Sequence, residues 1–148
     1  IYDPVHNDLF TATKGAGAFL NNKRIRVSRT DRLSRALIGT GFAGRRKDPE
    51  ALKEFLRMFE AMTLNCQAVR RPGSAALDLA YVACGRYDGY YEKSLKIWDI
   101  AAGALLVSEA GGIVSDFDGE SGFLESGNIV AGTPRVFGQM LPLLKSAE

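Results

Sequence analysis

The chain is poor in several residue types that carry common chemistries. It has only two cysteines in 148 residues, Cys66 and Cys84. Two thiols make no disulfide framework, and no zinc-ligand set surrounds either of them, so both are read as inert apolar fillers. A reduced, cytoplasmic setting is expected. His6 is the only histidine and is not read as catalytic. No run of about 18 uncharged apolar residues occurs, which excludes a membrane-spanning helix. The opening Ile1-Tyr2-Asp3-Pro4 is not the charged and then apolar start of a signal peptide. It also lacks an initiator Met and runs straight into strand-like sequence, so the chain is expected to begin inside a longer protein. There is no internal repeat and no low-complexity segment. No Lys/Arg run is interleaved with aromatics as a nucleic-acid platform requires.

What is present suits one globular domain: 46% apolar and 24% charged residues. The net charge of +2 hides an asymmetry. Residues 1–71 hold 14 Lys/Arg against 7 Asp/Glu, and residues 72–148 hold 5 against 10. A basic half can attract an anionic partner, although a solvated basic face is the commoner meaning.

Residues 1–28 pattern as a meander of short antiparallel strands, with Leu9–Thr13, Ala18–Leu20, a turn at Asn21-Asn22, and the alternating Lys23–Val27. Leu37–Phe42 reads as a buried strand. Asp48-Pro49 opens a helix, Asp as cap and Pro at the first helical position. Leu52, Phe55, Leu56 and Phe59 form one apolar stripe on it and are expected to pack. Ser74 caps a second helix that stops at Gly85. Tyr87–Glu92 is one strand. A third helix runs from Trp98 or Asp99 to Ala110 and is apolar nearly all round, which predicts burial between layers. Ile113–Ser115 and Ile129–Ala131 are strands around a polar loop, and Pro134 opens a last helix carrying Val136, Met140, Leu143 and Leu144. Strands alternating with helices predict an α/β fold, a mixed β-sheet flanked by helices.

Three places could carry chemistry. Asp99 stands at the start of the third helix, where free amides and the positive dipole end suit a carboxylate or a phosphate. It could be a plain cap. Yet a buried helix behind it would hold it rigid, small residues at 101–103 would leave room, and hard cations such as Mg²⁺ want rigid carboxylate oxygens. Glu92, at a strand end, could accept a hydrogen bond from a substrate hydroxyl, or be a surface glutamate beside Lys93 and Lys96. Gly73, Ser74 and Ala75 form a helix start that offers amides to an oxygen ligand.

Trp98-Asp99-Ile100-Ala101-Ala102-Gly103, followed by Glu109-Ala110-Gly111-Gly112, resembles the C-terminal signature of the inositol monophosphatase family, which is related to fructose-1,6-bisphosphatase. Gly17-Ala18-Phe19-Leu20-Asn21, Arg70–Asp78 and Gly85–Glu92 also fit, so the likeness covers almost the whole chain in collinear order. The resemblance implies a layered sugar-phosphatase fold, C-terminal part only. Residues 1–36 would be strands from the end of a first α/β region, and 37–148 a C-terminal α/β domain. It implies Mg²⁺-dependent, lithium-sensitive hydrolysis of a phosphate monoester, most specifically inositol monophosphate, by the parent enzyme. By the same resemblance, Asp99 is a metal-binding and catalytic aspartate. Glu92 accepts from a ring hydroxyl, and the backbone of Gly73, Ser74 and Ala75 approaches the substrate. Glu109, deep in the third helix, is read as structural.

The family's other metal ligands come from an upstream Gly-Glu-Glu and from Asp-Pro-Ile/Leu-Asp-Gly-Thr, and neither occurs here. Asp3-Pro4-Val5 begins like the second motif, but His6 and Asn7 break it. The chain alone is therefore expected to be inactive. A small phosphorylated polyol substrate and a homo-oligomer are expected. Rival readings are another sugar phosphate or a nucleotide 3′-phosphate as substrate, or a regulatory module binding an acidic protein or nucleic-acid partner through the basic residues of 23–47.

Overall fold

The structure, a computed structural model, describes residues 1–42 and 48–147. Four antiparallel strands form the meander in the order β1 (Tyr2–Asp3), β2 (Asp8–Thr13), β3 (Gly17–Leu20) and β4 (Lys23–Ile25). Leu20 pairs with Lys23, so β3 and β4 are joined by the two-residue turn Asn21-Asn22. Both asparagines take positive φ, 48° and 63°, as the tight hairpin turn that matches strand twist demands. A 3-10 turn (Leu33–Arg35) leads into β5 (Leu37–Thr40), and then α1 (Pro49–Asn65), β6 (Ala68–Arg70), α2 (Ala75–Ala83), β7 (Gly89–Glu92) and α3 (Ile97–Glu109) follow. The chain ends with β8 (Ile113–Ser115), the short α4 (Phe123–Ser126), β9 (Ile129–Gly132) and α5 (Pro134–Ser146).

The second sheet has the order β6-β5-β7-β9-β8. β5 runs parallel to β6 and β7, whereas β9 is antiparallel to β7 and β8, so the sheet is mixed. Every residue of β7 and β9 is buried, because helices cover both faces. Tyr90 and Ala131 join the core on the α2/α3 side, and Tyr91 and Val130 the core on the α1/α5 side. The meander packs on the far side of α3, with Phe10 and Ala18 in the same core as Leu79 and Val107. Four layers result: meander, α2 with α3, mixed sheet, α1 with α5.

Local chemistry explains the helix starts. Asp48 accepts from the amides of Glu50 and Ala51 at 3.1 and 3.2 Å. Ser74 Oγ accepts from Leu77 at 3.4 Å and Thr133 Oγ1 from Val136 at 3.3 Å. Asp88 holds three elements to one another. Its Oδ1 accepts from Ser28 Oγ at 2.5 Å, its Oδ2 from the Leu37 amide at 2.7 Å, and its carbonyl from the Thr133 amide at 3.0 Å.

Several sequence expectations change. On α1 the buried seam is Met58 and Met62, whereas Leu52 and Leu56 are exposed. The expected stripe is rotated because α1 rests on α5 and the sheet edge by its methionine side. α3 begins at Ile97, and Asp99 is its third residue. This helix is not buried all round: Trp98, Ala101 and Ala102 are exposed. Gly103 is buried and faces α2, rather than leaving room at Asp99; a methyl there would come 2.5 Å from Leu79 Cβ. Glu109 is structural as expected, but it lies half-buried at the helix end rather than deep in the layer. Its carboxylate accepts from the amides of Gly15 and Gly17, both at 2.8 Å, and so staples the β2–β3 turn to α3. Leu37–Phe42 and Lys23–Val27 are shorter strands than expected, and β1, β6 and α4 have too few residues for a periodic pattern. Cys66 and Cys84 are free thiols, each raised in pKa by burial. No helix among the described residues is long and apolar enough to cross a membrane.

Gly103→Ala tests the helix contact. Alanine favours a helix by about 1 kcal/mol over glycine, but forcing a methyl onto Leu79 costs typically 1–3 kcal/mol. A net loss of stability by urea unfolding is expected.

Candidate functional site

Two helix starts and one strand end meet at a single cavity of about 400 Å³. The start of α2 brings Gly73, Ser74, Ala75 and Ala76, the end of β7 brings Glu92, and the start of α3 brings Trp98 and Asp99. All five residues named from sequence line this one space. The amides of Ala75 and Ala76 are the first two of α2, which have no acceptor inside their own helix. Gly73 has φ +99°, a left-handed conformation that favours glycine, and nothing crowds its Cα. Asp99 is half-buried, and its Oδ2 accepts from the Lys96 amide at 2.9 Å.

Glu92 is not a surface glutamate. It is 7% exposed, and the hydroxyl of Tyr90 donates to its Oε2. Burial raises its pKa above the ordinary carboxylate range, while the Tyr90 hydrogen bond and the charge of Arg71 pull the other way. Lys93 turns away from Glu92, pairing with Glu54 at 2.6 Å and lying 4.5 Å from the Phe117 ring centroid.

Sequence reasoning missed two lining residues and one buried acid that acts electrostatically on Glu92. Arg71 and Gly41 line the same cavity. Asp78, one turn into α2, is 1% exposed, and neither of its carboxylate oxygens has a hydrogen-bond partner. Desolvation, with the charge of Glu92 behind it, pushes the Asp78 pKa up to about 7. Its setting in Ala75–Ala83, an apolar helix otherwise, was the available signal: a lone acid on a buried face.

A divalent cation needs several fixed oxygen ligands. Asp99 fits as one of them, with its carboxylate at the cavity wall. Among the described residues no group of three or more His, Cys, Asp or Glu could hold a metal ion. The Asp3 turn is a local structure, distinct from a ligand motif: Asp3 accepts from the Val5 amide and contacts His6 Nδ1 at 2.7 Å.

Comparison with known proteins gives this arrangement a family. The model of the inositol monophosphatase family matches residues 1–147. The chain belongs to the inositol monophosphatase family. It is 50% identical over 145 residues to a protein of Pseudomonas aeruginosa named Nus factor SuhB, covering 98% of this chain and 54% of that protein. The solved inositol monophosphatase of Anabaena (Nostoc) superposes with a TM-score of 0.91 at 43% identity, covering 99% of this chain and 60% of that one. The extragenic suppressor protein SuhB of Bartonella henselae gives 0.91 at 42% identity, covering 97% and 54%. The chain thus spans little more than half the length of the relatives it matches. The layered α/β fold expected from sequence is the family's fold.

Asp78 sets a pH dependence of stability. Its folded pKa lies above its unfolded one, so between about pH 4 and pH 7 the folded state keeps a proton that the unfolded state has released. Stability therefore falls as pH rises through that window. Each tenfold change in proton affinity is worth about 1.4 kcal/mol. Asp78→Asn should flatten this slope and stabilise the fold by about 1–3 kcal/mol at pH 8. Urea unfolding from pH 4 to 8 without divalent ions measures it. An unchanged slope would show that Asp78 is charged in the folded state.

Proposed function

We propose that the whole protein hydrolyses a phosphate monoester with Mg²⁺, most specifically inositol monophosphate, and that this chain supplies part of the site. The observation that carries this reading is the convergence of Asp99, Glu92 and the first turn of α2 on one cavity. Family membership supports the reaction class.

Each residue has a distinct task. Asp99 holds a cation through one carboxylate oxygen while the Lys96 amide fixes the other. Glu92 accepts a hydrogen bond from a substrate ring hydroxyl and thereby orients the polyol. Gly73, Ser74 and Ala75 present backbone to the substrate, and the first amides of α2 face an oxygen ligand with the positive end of the helix dipole behind them. When bound, Mg²⁺ would lower the pKa of the attacking water and stabilise charge on the leaving oxygen. The remaining cation ligands would come from residues outside this chain, so residues 1–148 alone should be inactive. A cytoplasmic homo-oligomer is part of the same reading. So is the division into strands of 1–36 that continue a first α/β region and a C-terminal domain of 37–148.

A second reading is a Nus-factor role for the whole protein, after the name of its Pseudomonas relative. Lys23, Arg24, Arg26, Arg29, Arg32 and Arg35 are exposed and would offer a basic face to an acidic partner. Arg45, Arg46 and Lys47, part of the same expectation, lie outside the described residues. RNA binding that weakens with salt and survives Asp99→Asn would favour this role.

In the full-length protein, Asp99→Asn should keep the fold, because Asn can still accept the Lys96 amide, and lose at least about tenfold in Mg²⁺-dependent rate. Phosphate release against Mg²⁺ concentration checks it; an unchanged rate and metal dependence would leave Asp99 as a helix cap. Residues 1–148 alone should release no phosphate at any Mg²⁺ concentration. Turnover by the isolated chain would refute the shared site.

A further inference from the structure

Glu92 has a seat as well as a partner. Gly41 immediately follows β5 and lies directly against the Glu92 carboxylate. A methyl carbon at position 41 would overlap Oε1, Oε2 and Cδ of Glu92 together. The φ of Gly41 is outside the left-handed region, so the backbone itself does not require glycine there. Only the space does.

Neither party can easily move aside. Thr40 pairs with Tyr91 in the β5–β7 ladder, and Thr40 Oγ1 donates to the Tyr91 carbonyl at 2.9 Å. The backbone beside Gly41 is thus tied to the strand that carries Glu92. Glu92 is 7% exposed and its carboxylate takes the Tyr90 hydroxyl, and Tyr90 is fully buried in the α2/α3 core. A larger residue at 41 would force the carboxylate away from its present place and off Tyr90.

We propose that Gly41 and Tyr90 are positioning residues that fix the Glu92 carboxylate as the cavity's hydroxyl acceptor, so that preference for a ring-polyol phosphate is set in part by the absence of a side chain at 41. The proposal rests on the reading of Glu92 as the acceptor of a substrate hydroxyl. A polar group aimed at a substrate hydroxyl discriminates strongly only while its geometry is held.

The test uses the full-length protein and two substrates, inositol 1-phosphate and glycerol 2-phosphate. Gly41→Ala should lower the ratio of their kcat/KM values about tenfold, with the Mg²⁺ concentration for half-activity unchanged. Tyr90→Phe should lower the ratio about threefold. On a Glu92→Ala background, Gly41→Ala should cost nothing further, because no carboxylate remains to displace. An unchanged ratio in Gly41→Ala, or the same loss on both backgrounds, would overturn the role of Gly41. Equal losses on both substrates in Tyr90→Phe would overturn that of Tyr90. If the wild-type protein hydrolyses neither substrate, the phosphatase reading fails by itself. The seat is then judged by the crystal structure of the Gly41→Ala protein: a carboxylate displaced from Tyr90 supports it, and one still bonded there refutes it.

Discussion

The close approach of α2 and α3 is the constraint on which the site depends. At Gly103 the α3 backbone comes so near Leu79 that a side chain of even one carbon would collide. Helices packed this closely cannot slide independently, and their starts end up at the same cavity. Gly73–Ala76 and Trp98–Asp99 therefore face one space although more than twenty residues separate them. The glycine in Trp98-Asp99-Ile100-Ala101-Ala102-Gly103 has a mechanical meaning: it sets the distance between two walls of the site.

Two buried acids stand at or beside the cavity, and that costs stability. Asp78 is buried without a hydrogen bond, and its neighbour Glu92 carries a raised pKa. Tyr90 donates to Glu92 and Arg71 faces it with positive charge, which partly offsets the burial. A site designed only for stability would hold no such pair of acids. Strain of this kind concentrates at functional sites, and here it stands where two helix starts and a strand end converge.

The meander is tied to α3 from the opposite side. Glu109 fastens the β2–β3 turn, the Val27 amide donates to the Ala110 carbonyl at 3.1 Å, and Phe10 and Ala18 enter the helix core. α3 thus lies between two sheets, which explains why nearly every position in it is apolar. Its exposed positions, Ile97, Trp98, Ala101, Ala102 and Ser108, include Trp98 on the cavity wall.

The sequence by itself determined the elements whose signals are local. The Asn21-Asn22 hairpin, the caps Asp48 and Ser74, Pro134 at the start of the last helix, and the alternation of strand and helix follow from backbone preferences and short-range hydrogen bonds, and each was legible. Helix starts and a strand end singled out Asp99, Glu92 and Gly73–Ala75, the family resemblance gave each a role, and all of them line one cavity. Tertiary structure decided what depends on partners distant in the chain. It chose Met58 and Met62 over Leu52 and Leu56 as the buried side of α1, because both are apolar and only the neighbouring layer distinguishes them. It buried Glu92, whose flanking lysines suggest a surface position, because β7 runs through the middle of a sheet covered on both faces. It also set Gly41 beneath that carboxylate through a parallel strand pairing across fifty residues, a contact no local pattern encodes.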